Sequence, residues 1–344
     1  MWRIVKKVLA WIVGVVLSLI LISTLLVYIF EDDIKQYAVE RLNENLNTRV
    51  DVEEIELSFW KRFPYASLTF KNVLIKDAFQ YNKGIDTLFF AENIYFDFSL
   101  YDLWNEDYRV KKIEAENGVF NMRVNEKGAV NYNILKQTEE KSEGKFEFEL
   151  ESVYLENFRY TLQNEQTGQD YAVRLKEGEM SGNFLEEKYT LTTRVEADVT
   201  HIKSGQIPIL FDQTFRGKVD IDINNIDSTY TIHAGEIYLS EIPLYFNGVF
   251  TKSQFDIELR GEGLNLAEVT NKMQGQYNTD YTMYEGGGKV DFDLKVTKND
   301  STDNKIVIAS GFGIEKGNLI DPSSGLSMKD IQLKGHYHSQ QDGV

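Results

Sequence analysis

From residue 50 onward the chain is written in alternation. Ile55, Leu57 and Phe59; Ile94, Phe96, Phe98 and Leu100; Val119, Val124 and their neighbours; Phe146, Phe148 and Leu150; Val219, Ile221 and Ile223; and Val290, Phe292, Leu294 and Val296 each sit in stretches that pair apolar with polar residues. A period of two is the strand period, and it predicts amphipathic β-strands with one face turned from water. Tyr, Phe, Val, Ile and Thr dominate these runs, 24 glycines punctuate them, and only Pro64, Pro208, Pro243 and Pro322 interrupt the chain. That composition suits strands and turns.

Three segments break the pattern. Residues 32–47 place Ile34, Ala38, Leu42 and Leu46 four apart, which predicts a short amphipathic helix with Asp32 and Asp33 at its N-terminal end. Leu264 to Met273 predicts a second, shorter helix, and Tyr101 to Trp104 a single turn. Val8 to Phe30 is different in kind: 23 residues without a charge, about 34 Å of helix at roughly 1.5 Å per residue, enough to cross a bilayer core. Arg3, Lys6 and Lys7 precede it, and Glu31, Asp32 and Asp33 follow. The positive-inside rule then predicts an uncleaved signal anchor, single-pass, with a cytoplasmic N-terminus and the bulk of the chain outside. A cleaved signal would have a shorter apolar region and an A-x-A-like site, and neither is present.

Within the β region a local signature recurs. Ala91-Glu92-Asn93, Ala115-Glu116-Asn117 and Leu155-Glu156-Asn157 are each followed by large apolar residues three and five positions after the Asn: Phe96 and Phe98, Phe120 and Met122, Tyr160 and Leu162. The uneven spacing suits a meander of similar hairpins with loops of different length. The polar stretch Gln137 to Lys145 predicts a linker or long loop, and Thr297 to Lys305 an exposed hairpin tip. The domain organisation expected is a cytoplasmic stub and anchor (1–30), a helix-and-β region (31–136) and a continuing β-meander (146–344).

Strands with one apolar face must hide it, and helices are too few to do so. A sheet of fifteen or more strands must close as a sandwich or barrel, or form a long curved antiparallel sheet, a groove or gutter whose concave side holds an apolar ligand. Charge narrows the partners. The 344 residues carry 37 Lys and Arg against 54 Asp and Glu, a formal charge of −17. Because the first thirty residues hold three bases and no acid, the remainder carries 34 bases against 54 acids, or −20. Nucleic acid is a poor partner for such a surface. The absence of cysteine excludes disulfides, thiolate catalysis, Cys-ligated metal and Cys acylation.

The motifs for chemistry fail. Asp220-x-Asp222-x-Asn224 begins like a calcium loop, but Asn225 replaces the sixth-position Gly and Thr231 the terminal Glu. The polar face of a strand explains these acids better. Gly286-Gly287-Gly288-Lys289 lacks the spacing and the following Ser or Thr of a phosphate loop, and reads as a glycine-rich hairpin or bulge. His336-x-His338 supplies two ligands without a third, and His201 and His233 stand alone. The expectation is no enzyme, no cofactor and no metal.

The ordered N-terminal features carry a resemblance. The basic start, the single span, the helix ending Leu42-Asn43-Glu44-Asn45-Leu46-Asn47, the strand Val50 to Leu57, and Phe59-Trp60-Lys61-Arg62-Phe63-Pro64-Tyr65-Ala66-Ser67-Leu68-Thr69-Phe70-Lys71-Asn72-Val73 together resemble the N-terminal region of AsmA family proteins of Gram-negative bacteria. Gly128-Ala129-Val130-Asn131-Tyr132 is similar to the family's Gly-x-x-Asn-aromatic element, and Ile237 to Phe250 to one of its later strand pairs. Motif-level similarity covers about residues 1 to 135. The resemblance implies an inner-membrane anchored periplasmic protein of the repeating β-groove type, engaged in outer-membrane biogenesis and in moving phospholipid between membranes. The candidate lipid-facing residues are then Phe96, Phe98, Phe120, Met122, Tyr160 and Leu162, and the partners phospholipid, the inner membrane and other envelope proteins. The alternative is a structural or regulatory envelope protein, a closed β-sandwich that acts through protein partners and holds no lipid.

Overall fold

A computed structural model describes residues 48, 50–58, 62–77, 87–99, 101, 109–134, 148–184, 186–205, 207–274, 285–298 and 306–339. The expected span 8–30, the helix 32–47 and the linker 137–145 lie outside these residues. Among the described residues no helix is long and apolar enough to cross a membrane. The chain is mainly β and divides into two compact units, one of residues 1–120 and 131–148, the other of residues 121–130 and 149–344.

The first unit holds β1 (Val50–Asp51), β2 (Glu54–Ser58), β3 (Tyr65–Lys76), β4 (Thr87–Ser99) and most of β5 (Val110–Val124). The second holds the end of β5, nearly all of β6 (Phe148–Asn164), then β7 (Gln169–Ser181), β8 (Lys188–Ser204), β9 (Ile207–Asn224), β10 (Thr229–Leu239), β11 (Ile242–Phe250), β12 (Phe255–Asn265), helix α1 (Leu266–Gln274), β13 (Glu285–Lys298), β14 (Ile306–Ile320) and β15 (Ser327–His338). The strands follow one another in a single antiparallel sheet of fifteen, ordered as in the sequence except that β1 and β2 both pair with β3. The order runs from β1 to β15 without closing on itself among the described residues.

Strands of 12 to 18 residues are long for a sheet, and a mid-strand device keeps their faces in phase. In the first unit Phe70, Ile94 and Ala115 lie side by side on β3, β4 and β5, and so do Val73, Ala91 and Gly118, three residues away on every strand. A step of three would turn the side chains to the other face, but an extra residue is absorbed at a bulge in each strand. Asn72 and Asn117 take it up in left-handed backbone, φ 49° and 53°, a conformation Asn tolerates better than most residues. Their amides donate to neighbouring acids, Asn72 Nδ2 to Glu53 Oε2 just before β2 at 2.6 Å and Asn117 Nδ2 to Glu92 Oε2 on β4 at 2.7 Å. In the second unit Asn157, φ 53°, does the same between Leu155 and Phe158 on β6. There β7 also steps by three, while β8 steps by two and ends the series.

The recurrent Glu-Asn signature is therefore a bulge signature. Asn117 and Asn157 fit it; Asn93 does not adopt positive φ, and Asn72, outside the recurrence, takes the left-handed role. Elsewhere the turn chemistry is local. Ser240 and Glu241, both at positive φ, close a two-residue hairpin between β10 and β11. Ser240 is held there by donating its hydroxyl to Gln213 Oε1 at 2.5 Å. The triglycine segment forms a bulge at the start of β13, where a side chain on Gly288 would come within 2.5 Å of the Gly317 Cα.

Helix α1 falls where the sequence predicts it, shifted two residues at its start. Asn265 caps it, its Oδ1 accepting from the Glu268 N–H at 3.1 Å. A helix of nine residues is too short to stand alone. Leu266 and Ala267 are buried, and Leu266 packs with Ile237, Leu244, Leu264 and Val290 from β10 to β13 in the core of this part of the sheet.

Candidate functional site

In the first unit the register gathers one apolar face from β2 to β5: Ile55 and Leu57, then Leu68 and Phe70, Phe96 and Ile94, Ile113 and Ala115, and beyond the bulges Ile75, Phe89 and Phe120. Phe96 meets the Phe70 ring edge-on at 5.1 Å, and Phe120 meets Phe89 at 6.2 Å. Phe96, Phe98 and Phe120 thus share a face. Phe98 is closed off at 5 % exposure, whereas Phe96 and Phe120 are half-buried.

In the second unit Thr161 Oγ1 donates to Asn121 Oδ1 at 2.9 Å, which sets those two polar side chains on one side of β5 and β6. Alternation then turns Met122, Tyr160 and Leu162 to the other side, all half-buried. Tyr160 lies opposite Val173 and Leu162 opposite Tyr171. Burial pushes the Tyr160 phenol up from its ordinary pKa, as an apolar setting should.

That side continues strand by strand across the second unit. Its registered rows run Leu191–Ile221, Ala197–Phe215 and Ile237–Leu244, then Leu264–Val290–Ile314–Leu333 and Phe292–Phe312. Around Val290 it is covered by α1. On β14 and β15 it is not: Ile306, Ile308, Phe312, Leu333 and Tyr337 all point to this side and all are exposed, Phe312 at 44 % and Leu333 at 50 %. Monomeric soluble surfaces seldom leave a contiguous apolar strip of this kind uncovered. Sequence reasoning singled out positions on β4, β5 and β6 and missed these. The alternation of Ile306, Ile308, Phe312 and Ile314 marks the face, but lack of cover is a property of packing.

The opposite face is polar and internally paired. Asp220 accepts from Thr192 Oγ1 at 2.8 Å, and Asp222 from Thr190 Oγ1 at 2.7 Å, with His233 Nε2 also 2.7 Å from Asp222. The Thr190 hydroxyl first, and His233 second, hold the Asp222 carboxyl below the usual carboxylate range. The calcium-like spacing is thus the polar side of β9, as its alternation predicts. His201 lies 3.1 Å from Asp170. Among the described residues no cluster of three or more metal-ligating side chains occurs.

On the polar side of the first unit stands the most buried charge among the described residues. Asp97, 2 % exposed, accepts from Arg62 Nε at 3.0 Å. Arg62 also bonds Glu114 and lies over the Tyr95 ring at 4.6 Å. Desolvation first, and a bond to Glu116 second, drive the Tyr95 phenol well above its ordinary pKa. At the other end of β3, Asn131 of the Gly-x-x-Asn-aromatic element is fully buried and donates to Asp77 Oδ2 at 3.0 Å. These contacts hold structure together; no nucleophile with a base is formed by them.

Comparison with protein-family models, curated proteins and solved structures gave no match for this chain.

Proposed function

We propose that this chain is a membrane-anchored, AsmA-like protein of the periplasm whose apolar sheet face binds phospholipid, the acyl chains lying along the strands' shared side and serving lipid movement between inner and outer membrane. The observation that carries this reading is the uncovered strip on β14 and β15, continuous in register with the buried face around Val290. Lipid tails are the occupant that such a surface suits, because they are apolar, long and tolerant of side-chain variation. The uncharged segment Val8 to Phe30 with its flanking charges supports the anchor and the orientation. An enzymatic role has no support in the arrangement of the described side chains.

Native mass spectrometry of the detergent-purified full chain tests the proposal. Phospholipid should remain bound to the wild type and be depleted by Leu333→Asp or Met122→Asp, which place a charge on the track at half-buried or exposed positions where the fold tolerates it. Phe98→Asp makes the contrast, since a carboxylate in that closed site should unfold the region instead. A wild type that carries no phospholipid would reject the reading.

A further inference from the structure

On the polar side of β12 to β15 lies a hollow of about 520 Å³. Its floor is Gly311 and Gly313 of β14. The register sets Asp293 and His336 on either side of Gly311, and Asp291 and Lys334 on either side of Gly313. The hollow therefore has an acidic wall on β13 and a basic wall on β15, with two strand spacings, roughly 10 Å, between the wall backbones.

The glycines explain why the hollow exists. A glycine inside a strand weakens it, through backbone entropy and the lost side chain, so it needs a reason. Gly261 and Gly335 have one, because the Phe292 and Phe312 rings lie against them and a side chain would collide at 2.5 Å and 2.2 Å. Gly311 is roofed by Asp293 Oδ1 and His336 Nδ1, which would stand 2.7 Å and 3.2 Å from an added carbon. Gly313 has no such reason. Its φ is ordinary for a strand and nothing lies within 4 Å of where its side chain would be. The fold would accept a larger residue there, and the space it would fill is the hollow.

Three of the four wall groups have no hydrogen-bonded side-chain partner among the described residues. Asp293, Lys334 and His336 make no hydrogen bond or ion pair with another described side chain; Arg260, opposite Asp293 and within reach of its charge, is held by Glu258 at 2.5 Å, and Asp291 accepts from the Gly263 N–H at 2.5 Å. We propose that the hollow over Gly311 and Gly313 is a binding site for a small zwitterion, its ammonium against Asp291 and Asp293 and its phosphate or carboxylate against Lys334 and His336. The two walls of opposite sign select for it: a simple anion meets the acids, and a simple amine meets Lys334. The inference does not depend on the apolar face binding lipid, since it concerns the opposite side of the sheet.

Isothermal titration calorimetry on the full chain in detergent, with O-phosphoethanolamine as probe and ethanolamine and inorganic phosphate as separate arms, tests it. Phosphoethanolamine should bind with a Kd of roughly millimolar or tighter, and either half alone at least about tenfold more weakly. Gly313→Val should abolish binding while leaving thermal unfolding unchanged or raised, because it fills open space and improves strand propensity. Lys334→Gln and Asp293→Asn should each weaken it by about tenfold or more. Displacement by phosphatidylethanolamine vesicles, and not by phosphatidylglycerol vesicles, would assign the source as a lipid headgroup; no displacement would assign a free zwitterion. No binding of phosphoethanolamine, equal binding of either half alone, or full binding by a folded Gly313→Val protein would each overturn the site.

Discussion

Arg62→Met removes the guanidinium that answers the most deeply buried carboxylate among the described residues. Asp97 is 2 % exposed; Arg62 Nε donates to its Oδ2 at 3.0 Å, and its Oδ1 has no hydrogen-bond partner. Stripping the counter-charge from a fully buried pair costs about 3–5 kcal/mol. Arg62 itself is 27 % exposed, so water can replace part of its interaction, and the expected loss is about 2–3 kcal/mol. Glu114, the other partner, is accessible enough to turn to solvent and adds little. The loss should be local to β3 and β4, where Ser67 and Asp97 face each other in register. Hydrogen exchange followed by mass spectrometry reads it: peptides covering Tyr65–Lys76 and Thr87–Ser99 should exchange roughly 30- to 150-fold faster than wild type, at 1.4 kcal/mol per factor of ten. Adding Asp97→Leu to Arg62→Met should restore most of the protection, because the buried charge is removed together with its partner. Exchange within about threefold of wild type in the single variant, or a double variant no better protected than the single, would refute the reasoning.

The left-handed Asn residues predict an ordered series: Asn117→Ala and Asn157→Ala should each lower stability by about 1 kcal/mol and the glycine variants by less, measured by urea unfolding, since Gly occupies positive φ without a Cβ penalty. The turn after β14 predicts an acid-resistant charge. Hydrogen bonds from the Ser323 and Ser324 hydroxyls hold the Asp321 carboxyl down to a pKa of about 2. The folded value lies below the unfolded one, so the stabilisation is full above the ordinary carboxylate range and is lost only as pH falls through about 2; an NMR titration should find Asp321 ionised at about pH 3 in the wild type and shifted upward in Ser323→Ala/Ser324→Ala.

Much of the β architecture is legible in the sequence because alternation is a covalent pattern that burial converts directly into a face. Val219, Ile221 and Ile223 fall on one side of β9 and Asp220 and Asp222 on the other, as written. The helix at Leu266–Gln274 and the bulge at the triglycine segment are local, and local chemistry announces them. The Asn recurrence is visible, but its meaning is not: that an extra residue resets the phase of the strand depends on a matching step in the neighbour, which no single segment reveals. The hollow over Gly311 and Gly313 is hidden for the same reason, its walls coming from β13 and β15 at separations fixed only by register. The exposed strip at Phe312 and Leu333 follows from where α1 stops covering the sheet, a fact about neighbours and not about residues.

The stepped bulges also act as a reading frame. Deleting Asn117 alone would leave Phe120 on the apolar side, since Ala115 and Gly118 would then stand two apart, but β4 would keep its own extra residue and the β4–β5 pairs beyond Ala115 would fall one residue out of step. The same deletion made together at the bulges of β3, β4 and β5 would keep every neighbour in phase. Single-residue deletions at these bulges should therefore cost more stability one at a time than when made across the whole ladder. A chain of this kind lengthens most readily by whole hairpins, each carrying its own correction.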